Sequence, residues 1–348
     1  MKQLTYQLIK LWIKLGLYCY YRKITPKGTE HIPKDKPVLF LSNHQNALMD
    51  VLLIATHVKR KPWFLTRSDV FKGGLVNGLF GFLQMLPIYR IRDGKSNLHK
   101  NKLVFDQCGN LFGNKEAILI FPEANHSLKR RVRPLSKGFA RIITNALQQN
   151  PELDIQLVPI GQNYAYPRQV GDSAAPHFGR PIPVRKFLDS ADFVGDIKLR
   201  VFEGLTALTT HIPESMNDEL VQKIGTEGKI YLNPMEVNAM VPQNSYSEKL
   251  ASRRSVFPRI LKSLFYVWNL PFVLLWRVVI KPKVPEPEFE ATFRFGFMVF
   301  VYPLCYLILL LALWKEYTLS TACLVILGHA MLNILLVKMG IASPASQK

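Results

Sequence analysis

Two apolar runs constrain this chain more than any other feature. Phe295–Trp314 gives 20 residues without a charge, and Leu319–Val337 gives another 19. Each is long enough to cross a hydrocarbon core of ~30 Å as a helix. Only "KEYT", Lys315 to Thr318, separates them, so they are expected to form a membrane hairpin. Lys281, Lys283, Arg294 and Lys338 flank the outer ends of the pair, whereas the short loop holds one Lys and one Glu. The positive-inside rule then predicts that both ends, and the domain attached to them, face the cytoplasm.

Other segments carry the same signature more weakly. Ser263–Ile280 is apolar but contains Asn269, Pro271 and Arg277, which suits a re-entrant or interfacial helix better than a span. Leu4–Ile24 mixes Leu, Ile, Trp and Tyr with Lys10, Lys14, Arg22 and Lys23 at near-helical spacing. Two readings stand for it: an amphipathic helix in the membrane interface, or a helix packed on the domain that follows. No short apolar core leads to a small-residue cleavage site, so a secretory signal peptide is not expected. The formal charge of +20, from 45 basic and 25 acidic residues, implies an anionic partner. Beside long apolar segments, that partner is expected to be a lipid surface. A nucleic acid is not expected, because no recognisable binding motif accompanies the charge. Cys19, Cys108, Cys305 and Cys323 show no paired spacing, so neither a disulfide framework nor a zinc site is supported.

Between these segments, short apolar strands alternate with helices. Val38–Leu41 reads as a buried strand and "ALMDVLLIATHV" as the helix after it; "KPWFLTRSDVF", "QMLPIYRIRDG", "AILIFPEANHS" and "IQLVPIGQNY" supply further strands. Such alternation argues for an α/β domain with a largely parallel sheet flanked by helices. The expected organisation is an interfacial helix (1–24), the α/β domain (25–257), an interfacial or re-entrant helix (258–284) and the transmembrane hairpin (285–348).

In open parallel sheets the ligand sits beyond the carboxyl ends of the strands. His44, Arg90 and Glu123 each follow a predicted strand, so one cleft could collect them. A histidine general base needs a carboxylate on its other ring nitrogen to set the tautomer and steady the imidazolium. His44 at a strand end and Asp50 in the next helix could meet in that way, although turn capping explains the pair equally well at this point. GxSxG is absent, which favours direct transfer over a covalent intermediate. Arg90 and Arg92 alternate on a predicted strand and so share a face, where guanidinium groups could grip a phosphate; a solvated strand end is the plainer reading. Glu123 could orient a substrate hydroxyl or sit in a surface turn. The run "SLKRRVRPLSKG", with Lys129, Arg130, Arg131, Arg133 and Lys137, could bind carrier phosphates or lipid, or simply be solvated. His126 has no evident partner and reads as structural.

Taken in order, "NHQNALMD", "LPIYR", "FPEANHS" and "VPIG" resemble the four blocks of the glycerophospholipid acyltransferase family, the PlsC-like enzymes that acylate glycerol-3-phosphate or lysophosphatidate. The resemblance covers roughly residues 25 to 240. It implies a PlsC-type acyltransferase core in which His44 is the base and Asp50 its partner, acting on acyl-CoA or acyl-carrier protein as co-substrate, with no cofactor and no metal. It also implies substrate-binding positions at Asn43, Arg90, Arg92, Glu123, Lys137 and Pro159, with Arg90 on phosphate and Pro159 shaping the acyl side. The chain departs from the pattern twice. Five residues rather than four separate His44 from Asp50, which is similar to a glycerol-3-phosphate acyltransferase-like branch. "FPEGTRS" becomes "FPEANHS", placing Ala124 and His126 where Gly and Arg are usual and leaving the acceptor's anionic group open. The expected function is a membrane O-acyltransferase of phospholipid synthesis. The alternatives are another lyso-lipid acceptor, such as an N-acyl amino acid lipid, and a catalytically silent lipid-binding protein.

Overall fold

A computed structural model describes residues 2–71, 78, 80–90, 99–216, 228–243 and 257–342. Helix α1 (Lys2–Tyr20) leads into the short strand β1 (Lys23–Ile24), then β2 (Val38–Ser42), α2 (Ala47–His57), β3 (Trp63–Arg67) and β4 (Met85–Ile88). These are followed by α3 (Asn101–Gly113), β5 (Ala117–Ile120), α4 (Gly138–Gln149), β6 (Gln156–Tyr164), β7 (Ser173–Phe178), β8 (Ile182–Pro183) and α5 (Phe193–Leu208). The strands form one sheet in the order β1-β7-β6-β2-β5-β3-β4, with β8 also on β6. Strands β6, β2, β5, β3 and β4 run parallel, and β7 and β8 pair antiparallel with β6. β2 and β5 are buried along their whole length, which is why they read as unbroken apolar runs: both faces of the sheet are covered. Strands β1, β7 and β8 were not legible in the sequence. β7, "SAAPHF", lacks a run of branched residues and is held in place by its pairing with β6.

One face of the sheet packs on α3, α4 and α5. Helix α4 buries Phe139, Ile142, Ile143 and Ala146 as an apolar stripe into a core with Leu39, Leu41 and Leu157. The other face meets α2 through Ile54 and Val58 against Phe40, Val158 and Ile160. Alternation along β6 therefore turns Leu157 and Pro159 towards α5, and Val158 and Ile160 towards α2. At Gly161 an added Cβ would lie 2.0 Å from the Leu208 carbonyl oxygen, so the end of α5 can approach β6 only because this residue is glycine.

Beyond α6 (Pro234–Gln243), the chain forms α7 (Phe257–Trp268) and α8 (Leu270–Leu275), which bend by 92° about Asn269. Helices α9 (Glu290–Glu316) and α10 (Leu319–Met339) follow as an antiparallel hairpin. Both are long and apolar enough to cross a membrane. Inside the bundle, Asn269 Nδ2 donates to Asn333 Oδ1 at 2.6 Å, and the Tyr302 hydroxyl donates to Asn269 Oδ1 at 2.9 Å. Interhelical polar bonds of this kind hold membrane helices together where the hydrophobic effect does not.

The hairpin docks on the α/β domain. Phe295 and Val299 of α9 share a buried cluster with Met49 and Leu53 of α2 and with Leu17 and Tyr20 of α1. Helix α1 thus combines both sequence readings: its last turn is packed, while Leu4, Leu8, Leu11, Trp12 and Leu15 are exposed.

Candidate active site

Parallel strands place their carboxyl ends on one rim, and the candidate residues gather there unequally. β2 runs straight into His44. Its ring Nδ1 lies 2.8 Å from Asp50 Oδ2. A carboxylate only accepts, so Nδ1 carries the proton and Nε2 is left as the basic nitrogen. The same Oδ2 accepts the backbone N–H groups of Gln45 and Asn46, each at 2.8 Å, and Oδ1 accepts the Tyr164 hydroxyl at 2.6 Å. Burial, and then the Asp50 charge, push the Tyr164 phenol well above its usual pKa, so it stays a donor. Asp50 is fully buried, whereas the His44 side chain keeps 17% of its surface open. The exposed partner of the pair is therefore the one that must meet a substrate. The ring stacks on Phe121 at 3.9 Å between centroids, which fixes its plane.

The fifth residue between His44 and Asp50 is absorbed at the helix start. Ala47 takes φ 42°, a left-handed value, and Asn46 before it takes φ −133°. One extra residue would rotate a regular helix by ~100°; this kink cancels that rotation and restores the contact. Ala124, where the resembling family has Gly, also takes a positive φ of 58°. The turn thus keeps a glycine-type backbone with an L residue in it.

Asn43 closes β2 onto β6. Its Oδ1 accepts Gln162 N at 2.6 Å and its Nδ2 donates to the Gln162 carbonyl at 3.2 Å. Both ends of the amide serve the sheet, and the side chain is buried. Glu123 is likewise engaged by the protein itself. It accepts Arg133 N at 3.1 Å, Nε at 2.9 Å and Nη2 at 2.7 Å. Burial raises its pKa and Arg133 opposes that shift. Pro159 packs its ring against Gly179 and Gly204 on the α5 side, the opposite face of the sheet from Asp50. Lys137 is exposed at the start of α4.

The expectation for "LPIYRIRD" needs correction. β4 ends at Ile88, so Arg90 lies in the segment after the strand and does not alternate with Arg92 along it. Arg92 falls outside the described residues. Arg90 Nη2 lies 3.8 Å from Asp69 Oδ2. Three strand spacings of ~4.8 Å put the end of β4 about 14 Å from that of β2. The basic run is also mostly engaged. Arg130 donates to the carbonyls of Tyr164 and Ala165 and lies over the Tyr231 ring, while Lys129 and Arg131 pair with Glu214.

His126 does have a partner, contrary to the sequence reading. Its Nε2 lies 2.6 Å from Glu286 Oε2, in the linker before α9, and the Phe289 ring meets its edge at 4.7 Å. The His126 ring is 5.7 Å from that of His44. Glu288 accepts Leu128 N at 3.3 Å, and the donor atoms of His126, Glu286 and Glu288 all lie within 4.8 Å of one another. These contacts tie the hairpin linker to the rim. Tyr164 could have been foreseen as the terminal residue of the "IQLVPIGQNY" strand on the α2 face. Arg133 was visible only as one of a charge run, and nothing in the linker signalled Glu286.

Residues 23–162 match the family model described as Acyltransferase. Through this domain, the chain belongs to the glycerophospholipid acyltransferase family. It is 27% identical over 130 residues to a chloroplastic 1-acyl-sn-glycerol-3-phosphate acyltransferase of Brassica napus, covering 37% of this chain and 36% of that protein. It is 23% identical over 137 residues to a glycerol-3-phosphate O-acyltransferase of Saccharomyces cerevisiae, covering 37% and 18%. Among solved structures, the 1-acyl-sn-glycerophosphate acyltransferase PlsC of Thermotoga maritima is similar at 17% identity and a TM-score of 0.43, over 59% of this chain and 79% of that one. The match spans about a third of the length of the plant relatives. The matched segment of the acyltransferase domain includes His44, Asp50, Tyr164's strand up to Gln162, and Glu123, while Glu286 and the hairpin lie outside it.

Proposed function

We propose that this protein is a membrane-bound acyltransferase that moves a fatty acyl group from a thioester to a hydroxyl of a glycerol-phosphate-type acceptor. The observation that carries this reading is the 2.8 Å contact between His44 and a fully buried Asp50 at the rim of the acyltransferase domain. His44 Nε2 takes the proton of the acceptor hydroxyl as its oxygen attacks the thioester carbonyl carbon. The imidazolium is steadied by Asp50. The tetrahedral intermediate then collapses, the C–S bond breaks, and the departing thiolate receives the proton from His44. The ester forms and the thiol leaves, with no covalent enzyme intermediate and no cofactor. Coenzyme A or acyl-carrier protein is the thioester carrier. Lysophosphatidate or glycerol-3-phosphate is the acceptor, consistent with what the named relatives act on.

The basic residues at the outer ends of the hairpin support a cytoplasmic rim. Acceptor and product are amphiphiles, so a rim fixed to two membrane helices shortens their path to His44.

The test is thioester consumption by the detergent-purified chain with palmitoyl-CoA and palmitoyl-acyl-carrier protein, against glycerol-3-phosphate, lysophosphatidate, other lysophospholipids and N-acyl amino acids. Acceptor-dependent turnover that falls by about 10²–10⁴-fold in His44→Ala is expected, the usual contribution of general base catalysis. Turnover unchanged in that variant, or no turnover with any pair from folded protein, would overturn the assignment.

A further inference from the structure

A second cavity, of about 370 Å³, opens where the hairpin meets the α/β domain, between α7, α8, the start of α9 and the β6–β7 connection. Arg168, Lys262, Arg277, Lys281 and Arg294 line it against a single carboxylate, Glu290, an excess of four positive charges. That carboxylate is already shared. Arg168 donates to it through Nε at 2.7 Å and Nη2 at 2.5 Å, and Arg294 Nη2 donates to its other oxygen. Lys262, half-buried, donates to the neutral Gln169 Oε1 at 2.9 Å. The Arg277 guanidinium lies 5.4 Å from the centre of the Tyr266 ring. Cations gathered on a partly closed, low-dielectric wall repel one another and focus a field that a counter-anion relieves.

The neighbouring cavity, of about 210 Å³, has the opposite chemistry. It runs between α1, α9 and α10 and is almost wholly apolar, bounded by residues such as Trp12, Leu15 and Ile334. Phe265, Met298 and Tyr302 line both cavities, so the two share a wall. The charged cavity lies at the basic end of the hairpin, the level at which headgroup phosphates sit, and the apolar one lies alongside the membrane helices. A ligand with a phosphate at one end and a hydrocarbon chain at the other fits both at once.

We infer that the paired cavities bind one phosphate-headed amphiphile, its headgroup among Lys262, Arg277 and Lys281 and its chain between α1 and α9. This binding site is separate from His44 and goes beyond the acyl-transfer reading, whose failure would leave it standing. Its occupant would lie against Glu290, next in sequence to Phe289, which packs on His126 at the rim.

The full chain in a zwitterionic detergent, carrying His44→Ala so that no ligand is consumed, provides the assay. Trp276 borders the charged cavity and Trp12 the apolar one, so tryptophan fluorescence reports on both. The probes are oleoyl-lysophosphatidate, dioleoyl phosphatidylglycerol, oleoyl-lysophosphatidylcholine, glycerol-3-phosphate and inorganic phosphate. Saturable binding of an anionic lipid is expected, at least tenfold tighter than the choline lipid and at least a hundredfold tighter than either chainless phosphate. Lys262→Gln with Arg277→Gln should weaken it at least tenfold; Arg277→Gln alone, at an exposed position, serves if the double variant does not fold. Preference for lysophosphatidate would support a single-chain occupant, and preference for phosphatidylglycerol a resident two-chain lipid. Unchanged affinity in the folded charge variant, equal binding of the choline lipid, or chainless phosphates binding as tightly as the lipids would each overturn the inference.

Discussion

Around Asp50, at the rim of the sheet, four donors converge on one carboxylate, whereas around Glu290, at the hairpin junction, five cations line a cavity that contains no other acid. In the first region each charge is met by the protein's own groups, so His44 is held in one tautomer and one plane before any ligand arrives. In the second the protein supplies more positive charge than it neutralises. The difference separates two kinds of site: one built to carry out a proton transfer with little reorganisation, the other to receive its missing counter-charge from a ligand.

Three substitutions would break or sharpen that comparison. The largest effect is expected at Arg133, the rim's other buried charge partner. Arg133→Ala would leave Glu123, whose side chain is 1% exposed, without its cation. Stability should fall by about 3–5 kcal/mol, the usual result of removing one half of a buried pair, as read by chemical denaturation. A loss below about 1 kcal/mol would show that the rim is not closed by its own charges.

Asp172 supplies a buried carboxylate with fewer partners. It accepts Tyr166 N at 2.6 Å and Ser173 N at 2.7 Å, and burial raises its pKa from 3.8 to about 7. A folded pKa above the unfolded one means that the native state holds the proton longer. Its contribution is most favourable below about pH 4 and is lost as pH rises through about 7. Asp172→Asn should flatten this part of the stability profile, removing a slope worth about 2–4 kcal/mol between those limits. Thermal melts of both proteins from pH 4 to pH 8 test this, and parallel curves would contradict it.

Tyr164→Phe is the smallest and most specific change. It removes one donor from Asp50 while leaving His44 and both backbone N–H groups in place. A hydrogen bond to a buried charge is worth about 1–3 kcal/mol. kcat should drop by about tenfold with KM nearly unchanged, and the acidic limb of the kcat profile should shift. A change confined to KM would instead put Tyr164 on the substrate.

Much of this organisation was legible from residue patterns because the relevant physics is local. Strands β2 and β5 announced themselves as short apolar runs bounded by turn residues, and α9 and α10 by length and lack of charge. The contact of His44 with Asp50 followed from their positions at a strand end and in the next helix, once the ordered blocks were seen together. The partners that complete the rim were not legible in the same way. Arg133 looked like any other member of a basic run, and Asn43 like a residue facing substrate. Glu286 lies 160 residues from His126, and no local signal links them.

By itself the sequence determined the parallel α/β core, the two membrane-length helices and the identity of the base and its carboxylate, since periodicity, length and residue chemistry act over a few neighbours. Only the tertiary structure decided that Asn43 and Glu123 spend their polar atoms on the protein itself, that Pro159 faces away from Asp50, and that Ala47 takes the kink that absorbs an extra residue. It alone brought Arg168, Lys262, Arg277, Lys281 and Arg294 to one cavity. Charge neutralisation and hydrogen-bond pairing depend on distances between elements far apart in the chain, and those distances are set by how the sheet, α2 and the hairpin pack together.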